Sequence, residues 1–258
     1  MKKDWHDLSN VFCELKKELV KSDPGIRTAE PIPVLGSGLP IDESDLKLLH
    51  EFAVSNPMYA VPYERMLGTV RCAVYKGDTD RYWLGSINHD SSRAPFSPTW
   101  IMSAYVLGMI AGDLGYTEAV DIGSGDGRIA LCSGIAGMES HAIEIDPALA
   151  RLPSSIGMTI KPHCSDAITF DYSILNLSNP VFFIGGLAQM GGDALASGVM
   201  RQVRQIPGLW ENAGWVFAGT HAPKYAQDSQ GCAGWGTIMK ENGLEHARTI
   251  TLPTAWTL

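Results

Sequence analysis

No stretch of this chain approaches the roughly 18 consecutive apolar residues of a membrane-spanning helix. Met1-Lys-Lys-Asp-Trp-His6 likewise lacks the apolar core of a secretory signal. The expectation is a soluble protein of the cytoplasm. Cysteine is scarce and scattered: five residues, at 13, 72, 132, 164 and 232, with no Cys-x-x-Cys pair and no clustered histidine of the kind that holds zinc. They read as reduced thiols, mostly in the core, and no metal site is expected. A basic excess is missing as well. The formal net charge is −8, which divides into −3 for residues 1–92 (11 basic, 14 acidic) and −5 for residues 93–258 (9 basic, 14 acidic). Neither part has the balance of a protein that neutralises phosphates along nucleic acid, so no nucleic-acid partner is expected.

What is present is enough apolar material, 45% of 258 residues, to bury the core of one domain with an extension. The chain is organised around Ala119-Val-Asp-Ile-Gly-Ser-Gly-Asp-Gly-Arg-Ile-Ala-Leu131. A short apolar run ends in an acid, glycines alternate at 123, 125 and 127, and an apolar pattern at helical spacing resumes from Arg128. This predicts strand, turn, helix. Glycine has no Cβ and tolerates positive φ, so the turn can reverse tightly and let a flat ligand lie on the main chain. The spacing Gly-x-Gly-x-Gly differs from the Gly-x-Gly-x-x-Gly of dinucleotide sites, which aims a helix N-terminus at a pyrophosphate. Here Asp121 and Asp126 crowd the turn, and acids disfavour a phosphate and favour a cation. A second apolar run, His141-Ala-Ile-Glu-Ile145, carries Glu144 where a βαβ unit places the acid that receives ribose hydroxyls.

These residues resemble the class I S-adenosylmethionine-dependent methyltransferases, whose first motif is acid-x-Gly-x-Gly-x-Gly, matched by Asp121-Ile-Gly-Ser-Gly-Asp-Gly127. The resemblance covers roughly residues 95–258. It implies an α/β, Rossmann-like core, a mostly parallel sheet with helices on both faces, and S-adenosylmethionine as cofactor. Phe96-Ser-Pro-Thr99 resembles the Phe/Tyr-Val-Pro-Thr loop that closes over the methionine end of the cofactor in a subgroup of protein lysine methyltransferases; a plain proline-capped helix start is the alternative. The resemblance assigns cofactor contacts to Phe96, Thr99, Asp121, Gly123, Ser124, Gly125, Gly127, Glu144, Ile145, Asp166 and Ala167. Asp166 stands where the family accepts a hydrogen bond from the adenine amino group, although an acid after a strand is often only a turn cap.

Read in order, residues 5–20 place Trp5, Leu8, Phe12, Leu15 and Leu19 on one stripe of an amphipathic helix. Packing on its own domain is the expected use of that stripe, and a dimer seam is the alternative. Pro31 to Pro40 reads as a linker or wrapping loop. Asp42–Ser55 is a helix opening on Asp42 or Ser44. Residues 68–75 and 81–87 read as a β-hairpin. Nothing in residues 1–92 carries recognisable chemistry. This N-terminal extension of helices and hairpin is expected to cover the 93–258 domain, selecting substrate and leaving cofactor binding to the core. Further along, a helix spans 99–113, Pro153 cuts short the helix that Asp146-Pro147 opens, residues 157–163 supply a third strand, and 179–184 a fourth. A helix over 193–205, a strand over 214–219, a helix over 235–242 and a last β segment over 245–258 complete a β-α-β-α order.

In this fold the end of the fourth strand faces the reaction centre, which makes Gly185, Gly186 and Leu187 candidates there, with His221 after the fifth strand. The Asn/Asp-Pro-Pro-Tyr/Phe motif of base-amine and glutamine methylases is replaced by Gly185-Gly186-Leu187, and no carboxylate cluster of metal-dependent O-methyltransferases is evident. Asp121–Arg128 with Ala142–Pro147 and the 96–99 loop looks most like the small archaeal and mitochondrial protein lysine methyltransferases. The implied acceptor is therefore a protein lysine amine, with a small-molecule N- or O-acceptor, a non-catalytic cofactor-binding module and a nicotinamide oxidoreductase as alternatives.

Overall fold

Two sheets of unequal size carry the chain, and the computed structural model describes residues 5–22, 28–77, 98–155, 159–186, 188, 191–218 and 234–253. The smaller sheet is antiparallel, with β1 (Ala29–Pro33), β2 (Tyr63–Leu67) and β3 (Val70–Lys76) in the order β1-β3-β2. Its strands correct two expectations. Residues 31–33 are not linker but the second half of a fully buried strand. Pro31 and Pro33 are accommodated because β1 lies at a sheet edge, where a missing N–H breaks no ladder. The hairpin partner of β3 precedes it: β2 turns into β3 through Gly68, which has φ +57. Residues 81–87, the partner expected from the sequence, lie outside the described residues.

The larger sheet is parallel throughout: β4 (Glu118–Ile122), β5 (Glu139–Glu144), β6 (Lys161–Cys164), β7 (Pro180–Ile184) and β8 (Gly214–Phe217), in the order β6-β5-β4-β7-β8. Counted from β4 this is the order 3-2-1-4-5 of a doubly wound, Rossmann-like sheet. The winding reverses between β4 and β7, and such sheets bind ligands at the carboxyl ends of the strands beside that point. The expected third strand begins at Lys161. Residues 245–253 form no strand, contrary to the expected last β segment, and 254–258 lie outside the described residues.

The helices are α1 (Trp5–Ser22), α2 (Glu43–Ser55), α3 (Ile101–Asp113), α4 (Arg128–Ile135), α5 (Pro147–Ser155), α6 (Gly192–Val203), α7 (Leu209–Asn212) and α8 (Gly236–Asn242). α5 runs two residues past Pro153. A proline in the last turn forfeits one backbone bond, and burial of Leu149 and Ala150 holds the short helix in place.

Period-two alternation in the central strands divides the apolar interior into two. Ala119, Val181 and Phe183 face a cluster built from α1, α2, the small sheet, α3 and α4, while Val120, Ile122, Phe182 and Ile184 face α6, Trp235 and Ile238. The α1 stripe of Trp5, Leu8, Phe12, Leu15 and Leu19 is buried in the first cluster, within the chain itself. Among the described residues no helix is long and apolar enough to cross a membrane, and no group of three or more His, Cys, Asp or Glu is placed to hold a metal ion.

Candidate functional site

The loop between β4 and α4 lies at the switch point of the parallel sheet. Its three glycines all take positive φ, +66 at Gly123, +56 at Gly125 and +81 at Gly127, which explains why each is glycine. The donors of this loop turn inward. Gly123 and Ser124 donate their N–H groups to the Ile143 carbonyl (2.9 and 3.0 Å), Gly125 to Glu144 Oε2 (2.8 Å), Gly127 to the Ser124 carbonyl (2.9 Å) and Arg128 to Asp126 Oδ1 (3.3 Å). A pyrophosphate cradle needs such N–H groups free to point at the ligand. Here the chain's own acceptors have taken those of Gly123, Ser124, Gly125, Gly127 and Arg128.

Three carboxylates surround the loop. Glu144, 8% exposed, ends β5 and pins the turn at both oxygens, with Oε1 accepting from the Asp146 N–H at 2.9 Å. Asp126 is fully buried beneath the loop. Asp121, 1% exposed, stands on the same face of β4 as Ala119 and therefore points toward α4. Burial pushes its carboxyl up to about 8; the Ala130 backbone N–H opposes the rise, and the charges of Asp126 and Glu144 add to it. Its Oδ2 is buried and has no hydrogen-bond partner among the described residues. Asp121 does not hold the turn's backbone donors. Glu144, Asp126 and the carbonyls of Ile143 and Ser124 hold them.

The cation that these acids favour is supplied first by the chain itself. Arg128, 2% exposed, donates Nε and Nη2 to Asp126 (2.9 and 2.5 Å) and Nη1 to Glu30 Oε1 (2.9 Å) and to the Thr99 carbonyl (2.8 Å). Burial works against the guanidinium charge, but Asp126, Tyr59 and Glu30 outweigh it and hold Arg128 firmly protonated. Glu30 also accepts from the Tyr59 hydroxyl (2.5 Å) and the Ile101 N–H (2.6 Å), and Asn56 Nδ2 donates to Asp126 Oδ2 (2.8 Å). Sequence reasoning missed Glu30, Asn56, Tyr59 and the role of Arg128. Arg128 carried one signal, a long cation at the first helical position after an acidic turn; the other three had none.

Of the remaining candidates, Ser124 and Ala167 are buried, and Thr99 and Ile145 are half-buried. Asp166 follows β6 at the same sheet edge, where its Oδ1 accepts from the Ile168 N–H (2.9 Å), the turn-cap geometry. Gly185 and Gly186 follow β7 and are exposed, next to the buried Phe182, Phe183 and Ile184. Among the described residues, a Cβ on Gly185 would meet nothing within 4 Å. Beside them, at the end of β8, Phe217 stacks on the buried Trp235 (centroids 4.4 Å), whose Nε1 donates to the Ala218 carbonyl at 2.9 Å. Phe96, Leu187 and His221 lie outside the described residues. The structure thus gathers the candidates that follow β4, β5, β6 and β7 along one sheet edge, with Thr99 joined to them through Arg128.

No protein-family model and no curated protein matches the chain. Among solved structures, the crystal structure of a ribosomal protein L11 methylase from Lactobacillus delbrueckii subsp. bulgaricus is similar over 58% of this chain and 73% of its own, at 15% identity and a TM-score of 0.34.

Proposed function

We propose that the chain is an S-adenosylmethionine-dependent methyltransferase whose acceptor is a protein lysine amine. The observation that carries this reading is the combination of a glycine loop with its donors turned inward and the carboxylates of Asp121 and Glu144 beside it, Asp126 being already paired with Arg128. S-adenosylmethionine presents an ammonium, a sulfonium and a ribose diol, which are cations and donors. A dinucleotide presents a pyrophosphate, for which this loop offers little. The residues fit the former. The partnerless Asp121 Oδ2 suits an ammonium, Glu144 the ribose hydroxyls and Asp166 the adenine amine. Ile145 and Ala167 would flank the adenine, the backbone of Gly123 to Gly127 would lie under the amino-acid portion, and Thr99, with Phe96, would meet the methionine end. Bound there, the cofactor supplies a methyl group on a positively charged sulfur.

What remains for the chain is to orient the acceptor, exclude water and receive the amine as a neutral base. The apolar strand end Phe182–Ile184, beside a Gly185 whose Cβ position no described residue crowds, would supply a low-dielectric approach that lowers a lysine pKa by desolvation. Carbonyls at that edge can accept the remaining amine hydrogens. Such a transfer requires no catalytic dyad.

The test is to incubate the protein with methyl-labelled cofactor and whole-cell lysate, then separate labelled protein from labelled metabolites and hydrolyse the protein fraction. Methyl-lysine in that hydrolysate is the expected result. Label confined to small molecules would move the acceptor to a metabolite, and absence of any transfer would reduce the site to a binding module.

A further inference from the structure

The buried ion network around Arg128 reaches far beyond the glycine loop. Glu30 lies on β1 and Asn56 ends α2, so the contacts to Arg128 and Asp126 span 98 and 70 positions of sequence. One guanidinium, closed over by the rings of Phe52 and Tyr59 at 5.7 and 5.8 Å, therefore ties three segments together: the N-terminal layer, the Thr99–Ile101 approach to α3, and the turn that begins α4. All the charged side chains in it are at most 2% exposed. A buried charge whose partner is removed cannot fall back on water, so its neighbours must shift to satisfy it. The neighbour that must follow is the glycine loop, because Asp126 belongs both to that loop and to the network.

We infer that Glu30 and Asn56 are positioning residues for cofactor binding, holding the Gly123–Gly127 loop in its binding conformation through Asp126 and Arg128. The N-terminal layer then acts on the cofactor as well as on the substrate, against the expectation from sequence that residues 1–92 leave cofactor binding alone. Asn56 fixes Asp126 Oδ2 from the side opposite the backbone it caps, and its Oδ1 accepts from the Met58 N–H (3.0 Å), so the amide is itself held rigidly. Glu30 fixes the far end of the guanidinium and, through the Ile101 N–H, the start of α3. The identity of the ligand rests on the methyltransferase reading; the mechanical coupling of layer and loop does not.

The test uses the full chain with Glu30→Gln, Asn56→Ala and, as a control on the same layer outside the network, Tyr63→Ser at an exposed position of β2. Two quantities are measured on protein shown by melting to be folded at the assay temperature. These are the dissociation constant for S-adenosylmethionine by calorimetry, and the hydrogen exchange of the loop amides without ligand. The expected result is a dissociation constant raised about tenfold or more in both network variants, the scale of one lost hydrogen bond to a charged group. The Gly125 and Gly127 amides should exchange faster in both, and Tyr63→Ser should match wild type in both measurements. Should Glu30→Gln fail to fold, Asn56→Ala decides. Wild-type affinity and wild-type loop exchange in folded Asn56→Ala overturn the inference. A wild-type protein that does not bind the cofactor, with loop exchange still accelerated in the variants, overturns the methyltransferase reading and leaves the coupling standing.

Discussion

Gly125 donates its backbone N–H to Glu144 Oε2 at 2.8 Å, so the acid at the end of β5 and the middle glycine of the β4 loop are joined directly. The bond closes the gap between the two strand ends and places a carboxylate against the edge where a ribose would lie. Glu144 holds the turn at both oxygens and, under the proposed function, would also receive the ribose.

Losing both is the first prediction. A charged acceptor bonded to hydroxyls contributes about 1.5 to 3 kcal/mol, so Glu144→Ala should weaken S-adenosylmethionine binding roughly ten- to a hundredfold. Calorimetric titration with this cofactor and with NAD checks it. Tighter binding of NAD by the wild type would install a dehydrogenase instead.

The close approach of α3 to α4 yields a second prediction, on stability. A Cβ at Gly108 would stand 2.8 Å from the Cys132 carbonyl carbon and oxygen and 3.0 Å from the Ser133 nitrogen, all backbone atoms that cannot rotate away. Gly108→Ala must therefore push α4 outward, at about 1 to 3 kcal/mol. Since α4 begins at the glycine loop, cofactor affinity should fall with the melting temperature. Gly134→Ala, on α4 but meeting only Ser140 Oγ at 3.8 Å, is the control and should be neutral or mildly stabilising in thermal melts.

The parts of the site that the sequence discloses are those written locally. Alternating glycines at 123, 125 and 127, an acid before them and Glu144 at the end of the next apolar run form a pattern within one βαβ unit, and β4, β5, β7 and β8 fall where the apolar runs predict. Glu30 is opaque for the opposite reason. It sits beside Pro31 and Pro33, which read as a breaker unless the strand is known to lie at an edge, and an edge is a property of the assembled sheet. Asn56 and Tyr59 meet the loop through contacts that no periodicity records. Asp166 was legible as a position and ambiguous as a role, because the bond from Ile168 N–H to its side chain is the one a plain turn would make.

A pair of histidines on the neighbouring strands β5 and β6 gives a third prediction. His141 Nδ1 and His163 Nε2 lie 3.1 Å apart with the rings stacked, so the bond needs one donor and one acceptor and fails when both rings are charged. Burial first, then His163 and Lys161, lower the His141 pKa against the pull of Glu139; burial and Lys161 lower that of His163. A depressed folded pKa means stability that is present above the ordinary value of 6.5 and lost as pH falls through the lower folded values. Melting temperature should drop between about pH 7 and about pH 5. In His163→Phe, which keeps an aromatic face toward Phe170, the drop should be shallower; an unchanged slope would exclude the pair as its source.

Asp121 should titrate with the opposite sign. Its folded pKa, about 8, lies above the ordinary carboxylate value of 3.8, so its contribution to stability is complete at low pH and is lost as pH rises through that window. Asp121→Asn cannot ionise and keeps an oxygen for the Ala130 N–H, so its stability relative to wild type should climb between about pH 5 and about pH 8, at no more than ~1.4 kcal/mol per pH unit. Ligand binding offers a second readout of the same group. A cation docking on Oδ2 favours the carboxylate, so binding near pH 6.5, below the folded pKa, should expel a proton from the wild type that Asp121→Asn does not hold. Calorimetry in two buffers of different ionisation enthalpy counts that proton as a buffer-dependent heat. Greater proton release by wild type than by Asp121→Asn, together with weaker cofactor binding in the variant, is the expected outcome. Equal release by the two proteins would mean that the ligand's positive charge sits elsewhere and that Asp121 serves the helix alone.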